Sequence, residues 1–410
     1  MKQATKKQLQ TYIDKFSRAV DLSAWPLDQS WQNVMILPVC AESHESVVDV
    51  FQHLSQPSVL VILVLNRPEK HPQTNAWSEQ NNNFKQALLS DYNNVQHISA
   101  DHCLLTAGTL PDVLFLDFNR SPFNHNEGVG LARRIAADTA CALIGLDCIK
   151  APWIFSTDAD VTLPSGYFKV VDDYPDAAAL SLGFNHHSKD KTMAAHQQKY
   201  DFKLKYYQLG VKFIGAAYDY IPLGSTLVIN AIAYVKVRGF PVRSGGEDFY
   251  ILNKLAKVGN IEQPAEPVVQ IKVRQSDRVP FGTGPAVRQI ATNQQSGVAM
   301  NYYHPMIFVR LKQWRDELFA YYNNKALPQD KALNDYWDIQ QVINKAEKQI
   351  QTATRWQQFT HEWLDAFRIL KSVHFLQAFH PNQTRQELSQ HERFIEIMAV
   401  REGFEPSIRY

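Results

Sequence analysis

The sequence predicts an α/β protein with a mostly parallel, Rossmann-like sheet flanked by helices, followed by a helical C-terminal appendage. Three observations carry this. Short apolar runs recur with helical stretches between them, the pattern of strands buried on both faces of a parallel sheet. The fourth run, "PWIFSTDAD", ends on two carboxylates. From about residue 300 glycine becomes rare and helical periodicity dominates.

Taken in order, residues 1–30 read as a polar helix and a proline-containing connector. Strands are expected in "NVMILPVCAE" (33–42), "SVLVILVLNRP" (58–68), "DVLFLDFN" (112–119) and "PWIFSTDAD". Between the last two, Leu131, Ile135, Thr139 and Leu143 recur at helical spacing, as do Ala132, Ala136, Ala140 and Ile144. Together they give one broad apolar helix face, with Gly128 and Gly130 where the helix begins. "DAAALSLGFN" reads as a further strand, and the aromatics from Tyr200 to Tyr207 as core on a long helix. "GSTLVINAIAYVKVRGF" (224–240) reads as a strand entering a short helix, and "GGEDFYILNKLAKVG" as a helix opened by two acids. In the last segment Trp356, Phe359, Trp363, Phe367 and Leu370 form an apolar stripe at helical spacing. The expected division is 1–30, 31–295 and 296–410.

Composition narrows the function classes. The chain has 410 residues, 42 basic against 41 acidic, a balance that argues against a general nucleic-acid binder. Four cysteines show no metal-ligand spacing, so reduced thiols in a cytosol are expected. No signal peptide is read at the N-terminus, and "VLVILVL" is too short to span a bilayer. A soluble, cytoplasmic protein is expected, with peripheral contact at the inner membrane face and homo-oligomerisation left open.

The chemistry begins at Asp158 and Asp160. In extended chain, residues i and i+2 point the same way, so both carboxylates would face the mouth of the sheet. Such a pair suits Mn²⁺ or Mg²⁺, which prefer carboxylate oxygen and usually also hold substrate phosphates. A solvated surface turn is the plainer alternative. Glu247 and Asp248 open a helix where acids also serve simply as dipole-favourable charge. Arg133 and Arg134 could form an ordinary solvated face. His186, His187 and His304 read as surface or core residues rather than metal ligands.

The order of these segments resembles the family 2-like glycosyltransferases with the nucleotide-sugar-binding GT-A fold, over roughly residues 33–290. "PVCAE" is similar to the family's first-strand P-x-Y-N-E, "GVGLARRIAADTA" to its Gly-rich, Arg-bearing helix start, and "DAD" to its D-x-D metal motif. "GGEDFYILNKL" is similar to its G-E-D segment, and "RQSDRVPFGTG" (274–284) to a loop of one bacterial branch. The resemblance implies an inverting, metal-dependent transfer from a nucleotide-diphospho-sugar, with a UDP-sugar favoured, to a carbohydrate or glycolipid acceptor in cell-surface polysaccharide or glycoconjugate synthesis. It implies Asp160 on the metal, Asp158 on the metal or ribose, Asp248 as general base and Glu247 orienting or binding the acceptor. Pro38, Glu42, Asn66, Gly130, Arg133, Arg274 and Arg278 would contact the donor, with the helix N-terminus and Arg133 favouring its phosphates.

The sequence departs from the pattern where Cys40 and Ala41 replace Tyr-Asn and "VLNRP" replaces V-D-D-G-S. Asn66 thus stands where a carboxylate often contacts the base or ribose, and the base stays open. A retaining transferase, a sugar nucleotidyltransferase and a non-catalytic sugar-binding protein are the competing readings. The nucleotidyltransferase signature G-G-x-G-T-R/K is missing after the first strand.

Overall fold

The computed structural model describes residues 3–54, 58–273 and 282–400. They form two compact units. Of the described residues, the first comprises those up to 197 and those from 222 to 288, and the second those from 198 to 221 and from 289 to 400.

In chain order the first unit carries helix α1 (Gln3–Phe16), strand β1 (Asn33–Val39), α2 (His44–Gln52), β2 (Val59–Leu65) and α3 (Thr74–Ser90). The hairpin β3 (Asn94–His97) and β4 (His102–Thr106) follows, then β5 (Asp112–Asp117), α4 (Gly128–Gly145), β6 (Trp153–Ser156) and β7 (Val161–Thr162). A 3₁₀ segment (Tyr167–Asp173), β8 (Ala179–Ser181) and β9 (Gly183–His187) lead into α5 (Lys191–Ile214), whose later part belongs to the second unit. The chain returns through a 3₁₀ turn (Gly224–Thr226), β10 (Leu227–Asn230), α6 (Ala231–Lys236), α7 (Glu247–Leu255), β11 (Ile261–Glu262), β12 (Val268–Lys272) and α8 (Thr283–Gln295), whose later part again belongs to the second unit.

Among the described residues, nine strands make the main sheet in the order β11-β8-β10-β6-β1-β2-β5-β4-β3. Its centre, β6-β1-β2-β5, is parallel; β10 on one side and β4 on the other run antiparallel. The central strands are apolar on both faces because helices cover both: every residue of β2 is buried. The alanine-rich face expected on α4 packs on β1 and β2, and its small side chains allow the close approach. The segment expected as one strand at 176–185 divides at Leu182: β8 stays in the main sheet, whereas β9 joins β12 and β7 in a second, three-stranded sheet. β3, β4, β7, β11 and β12 had no clear signal. β3 is mostly exposed, so hydrophobicity does not mark it.

The second unit holds β13 (Asn301–Tyr302), α9 (Pro305–Asn324), α10 (Lys331–Trp337), α11 (Ile339–Glu347), α12 (Ala353–Trp363), α13 (Ala366–Leu376), β14 (Gln383–Thr384), α14 (Arg385–Ser389) and α15 (Glu392–Ala399). The later part of α5 contributes Phe202 and Tyr206, both buried. Tyr206 meets Phe308 edge-on at 5.6 Å, as expected for an aromatic run in a core. The apolar stripe from Trp356 to Leu370 is not one helix. Asp365 caps α13 by accepting the Arg368 amide, so α12 ends and a new helix begins; Trp356 is fully buried and Phe367 is exposed.

Candidate functional site

The four parallel central strands end on one edge of the sheet, at Val39, Leu65, Asp117 and Ser156. In open α/β sheets ligands bind outside such carboxyl ends. The loops after these strands carry Glu42, Asn66, Asp158 and Asp160, whereas Gly130 and Arg133 lie on α4 and Glu247 and Asp248 on α7.

β6 delivers the acidic pair. The strand ends at Ser156, every residue of it buried, and the pair follows in a loop and turn: Thr157 and Ala159 are buried, while Asp158 and Asp160 are half-buried. The Lys272 amide donates to the Asp160 carbonyl at 2.8 Å, pinning this stretch to β12. Asp158 accepts a charge-assisted bond from Arg133 Nη2 at 2.6 Å.

Arg133 lies on α4, and its side chain is only 4% exposed. Its Nη1 pairs with Glu247, and its Nε donates to Ser156 Oγ at 3.2 Å. That hydroxyl in turn donates to the Gly224 carbonyl at 2.8 Å. One guanidinium therefore ties the D-x-D stretch to the start of α7. Gly224 makes room for it, since a Cβ there would overlap the guanidinium.

α7 opens after Gly246, held at φ 74°. Glu247 is buried against Arg133, whereas Asp248 is half-buried. Burial, then the neighbouring Glu247 charge and more weakly Asp158, pushes the Asp248 carboxyl up to about 7; Arg133 and the Phe249 amide oppose the shift. A carboxyl poised near neutrality suits proton acceptance.

Several residues expected at the donor make contacts inside the fold. Arg133 is not a solvated or outward-reaching cation, because two carboxylates already meet its charge. Gly130 does not open the α4 N-terminus to an anion: its amide donates to the Arg243 carbonyl at 3.0 Å. A Cβ on Gly130 would stand 2.6 Å from both the Arg243 nitrogen and oxygen. Here glycine permits close approach of the 241–244 segment. Asn66 is buried, its amide group donating to the Val39 and Val64 carbonyls at 3.1 and 3.3 Å. Pro38 is half-buried within β1, Glu42 is buried just beyond it, and Arg274 and Arg278 lie outside the described residues.

The rim also contains residues that sequence reasoning missed. Ala41 adopts φ 51°, a left-handed conformation costly for alanine. Fully buried Asn81 on α3 supports it by accepting the Ala41 amide at 2.9 Å. Asn81 also donates to the Asn66 carbonyl at 3.0 Å and to Asn119 Oδ1 at 3.2 Å. Lys85 on α3 pairs with buried Asp117 at 2.7 Å. The available signal was the run Asn81-Asn82-Asn83, three poor helix formers inside a helix. Nothing in the sequence pointed to Ser156 or Gly224.

Among the described residues no group of three or more His, Cys, Asp and Glu side chains is arranged to hold a metal. The donor set at Asp158 and Asp160 still fits Mn²⁺ or Mg²⁺, because such ions take one or two carboxylates and complete their shell with water and substrate phosphate. No helix among the described residues is long and apolar enough to cross a membrane.

No family model matches the chain, and no curated protein does. Solved structures do match. The mannosyltransferase PcManGT from Pyrobaculum calidifontis, in complex with GDP-Man and Mn²⁺, is 13% identical over 92% of this chain and 94% of that one, with a TM-score of 0.37. S. aureus TarS 1–349 in complex with UDP is 12% identical over 81% and 89%, at 0.35. Glucosyl-3-phosphoglycerate synthase from Mycobacterium tuberculosis, in complex with Mn²⁺, UDP and glucosyl-3-phosphoglycerate, is 12% identical over 70% and 92%, at 0.32.

Proposed function

We propose that the chain is a metal-dependent, inverting glycosyltransferase of the family 2-like, GT-A type. It moves a sugar from a nucleoside-diphospho-sugar to an acceptor hydroxyl of a carbohydrate or glycolipid. The observation that carries the proposal is the buried Arg133, which joins Asp158 to Glu247 and so brings the two acidic motifs into one site.

In this reading Asp160, with Asp158, holds Mn²⁺ or Mg²⁺ and through it the donor diphosphate. The bound ion would neutralise charge developing on the leaving diphosphate. Asp248 accepts the proton of the incoming hydroxyl, with Glu247 and Arg133 fixing its place from behind. An inverting displacement needs no protein nucleophile, and the acid pair and Asp248 then serve opposite ends of the reacting bond. Acceptor choice belongs to the loops and to residues from 296 onward.

The test is a screen of UDP- and GDP-sugars for slow hydrolysis with Mn²⁺ and with excess chelator, followed by anomer-resolved product analysis. Metal-dependent hydrolysis of at least one donor, with an inverted product, is expected. No turnover of any donor would overturn the transferase reading, and a retained anomer would overturn inversion alone.

A further inference from the structure

In the second unit three imidazoles that the proposed reaction does not use, His304, His380 and His391, cluster together. His304 caps α9, its Nδ1 accepting the Met306 amide at 3.1 Å. His391 caps α15, its Nδ1 accepting the Arg393 amide at 3.2 Å. The two rings meet edge to face with centroids 5.1 Å apart, and His380 lies 5.3 Å from His304. His380 Nε2 faces Arg310 Nη1 at 3.3 Å. Amides and guanidinium groups only donate, so each ring offers a nitrogen that carries no proton.

We propose that His304, His380 and His391 form an acid-sensitive latch: neutral, they hold α15 in place, and protonation releases it. A proton on Nδ1 of His304 or His391 deletes a helix cap and sets a cation against the positive end of a helix. A proton on Nε2 of His380 sets one against Arg310.

Among the described residues, most of the neighbouring carboxylates already have partners. Arg310 is held two-pronged by Asp330, the cap of α10, and Asp330 is the carboxylate acting on His380. From α14, Glu387 is engaged in a capping box with Thr384. On α15, Glu396 bonds Arg393 and Glu392 also acts on it. On α13, His374 meets the Tyr303 hydroxyl, with Lys203 of α5 adding positive charge. Burial first, then the other two rings, holds His304 below its usual 6.5; burial, then Arg310, does the same for His380. Groups lowered in the folded state stabilise it above their unfolded value and lose that contribution as pH falls.

α15 is the element that would yield. It has eight residues and is seated by Phe394, 5.4 Å from Tyr206 and 6.4 Å from Phe202, and by buried Ile397. A helix this short depends on its cap and seat.

Hydrogen exchange of the full chain at pH 7.5, 6.5 and 5.5, corrected for the intrinsic pH dependence, reads the latch directly. Protection over 391–399 should fall about tenfold or more by pH 5.5 while the interior of α9 stays protected. His391→Asn keeps a neutral cap at every pH and should hold protection at pH 5.5. His380→Gln, which removes one of the crowded charges, should move the loss to lower pH and answers the question if His391→Asn does not fold. Constant protection of 391–399 in the wild type would overturn the latch. So would equal loss in His391→Asn, or simultaneous loss across α9.

Discussion

Arg133 sits between a carboxylate that is buried and one that is one-third exposed, and the balance of the site turns on that asymmetry. Removing it leaves Glu247 buried without a partner, which typically costs about 3–5 kcal/mol, whereas replacing both partners by apolar groups is often close to neutral. Arg133→Met should therefore lower the melting temperature sharply, and Arg133→Met with Glu247→Leu should recover much of the loss without recovering turnover. Equal destabilisation of single and double variants in a melting series would show that the pair is not the cause. Asp248 gives the second prediction at this scale. Asp248→Asn should retain donor binding and lower turnover by roughly 10²- to 10⁴-fold. Because the base works deprotonated and its carboxyl is raised to about 7, wild-type kcat should climb as pH rises through neutrality. The same shift acts oppositely on stability. The folded state holds a proton that the unfolded state has lost, so this group's contribution declines as pH rises from about 4 to about 7. A pH-independent kcat between 6 and 8 would contradict the assignment.

At the scale of elements, α4 explains why two glycines stand at the head of a helix that is otherwise buried nearly all round. Gly128 has φ 42°, and Gly130 touches the backbone of the 241–244 segment, so the segment leading into α7 is set by how closely it packs on α4. Gly130→Ala would press a methyl against backbone that has no rotamer to give. A loss of about 1–3 kcal/mol is expected, with turnover falling further as Asp248 shifts. A melting curve and rate indistinguishable from wild type would mean that α4 does not position α7. The helix face and the glycines were legible in the sequence as spacing. Their purpose was not, because a missing Cβ leaves the same trace whether a phosphate or a backbone comes close. Gly224 shows the limit more plainly: its neighbour Arg133 is far away in sequence, and no local pattern records that it must lack a side chain. The β3–β4 hairpin escaped for a different reason, its first strand being too exposed to show alternation.

For the molecule as a whole, the apolar runs that became β1, β2, β5 and β6 were legible because strands covered on both faces must be apolar throughout, and they carry the acid pair to the sheet's edge. The Asn81 network, which shapes the opposite part of that edge, was only partly visible, since buried amides are recognised by their partners rather than by their order. The central claim is that Asp158 and Asp160 bind a nucleoside diphosphate through a divalent ion. Thermal unfolding with UDP or GDP, each with Mn²⁺ and each with excess chelator, tests it most directly. At about 100 times the dissociation constant a ligand adds roughly 2.7 kcal/mol to stability, enough to move the transition. A rise in melting temperature with nucleotide and Mn²⁺ together, lost in chelator and in Asp160→Asn, is the expected result. Equal stabilisation by the nucleotide in chelator, or none by either nucleotide with Mn²⁺ present, would contradict it.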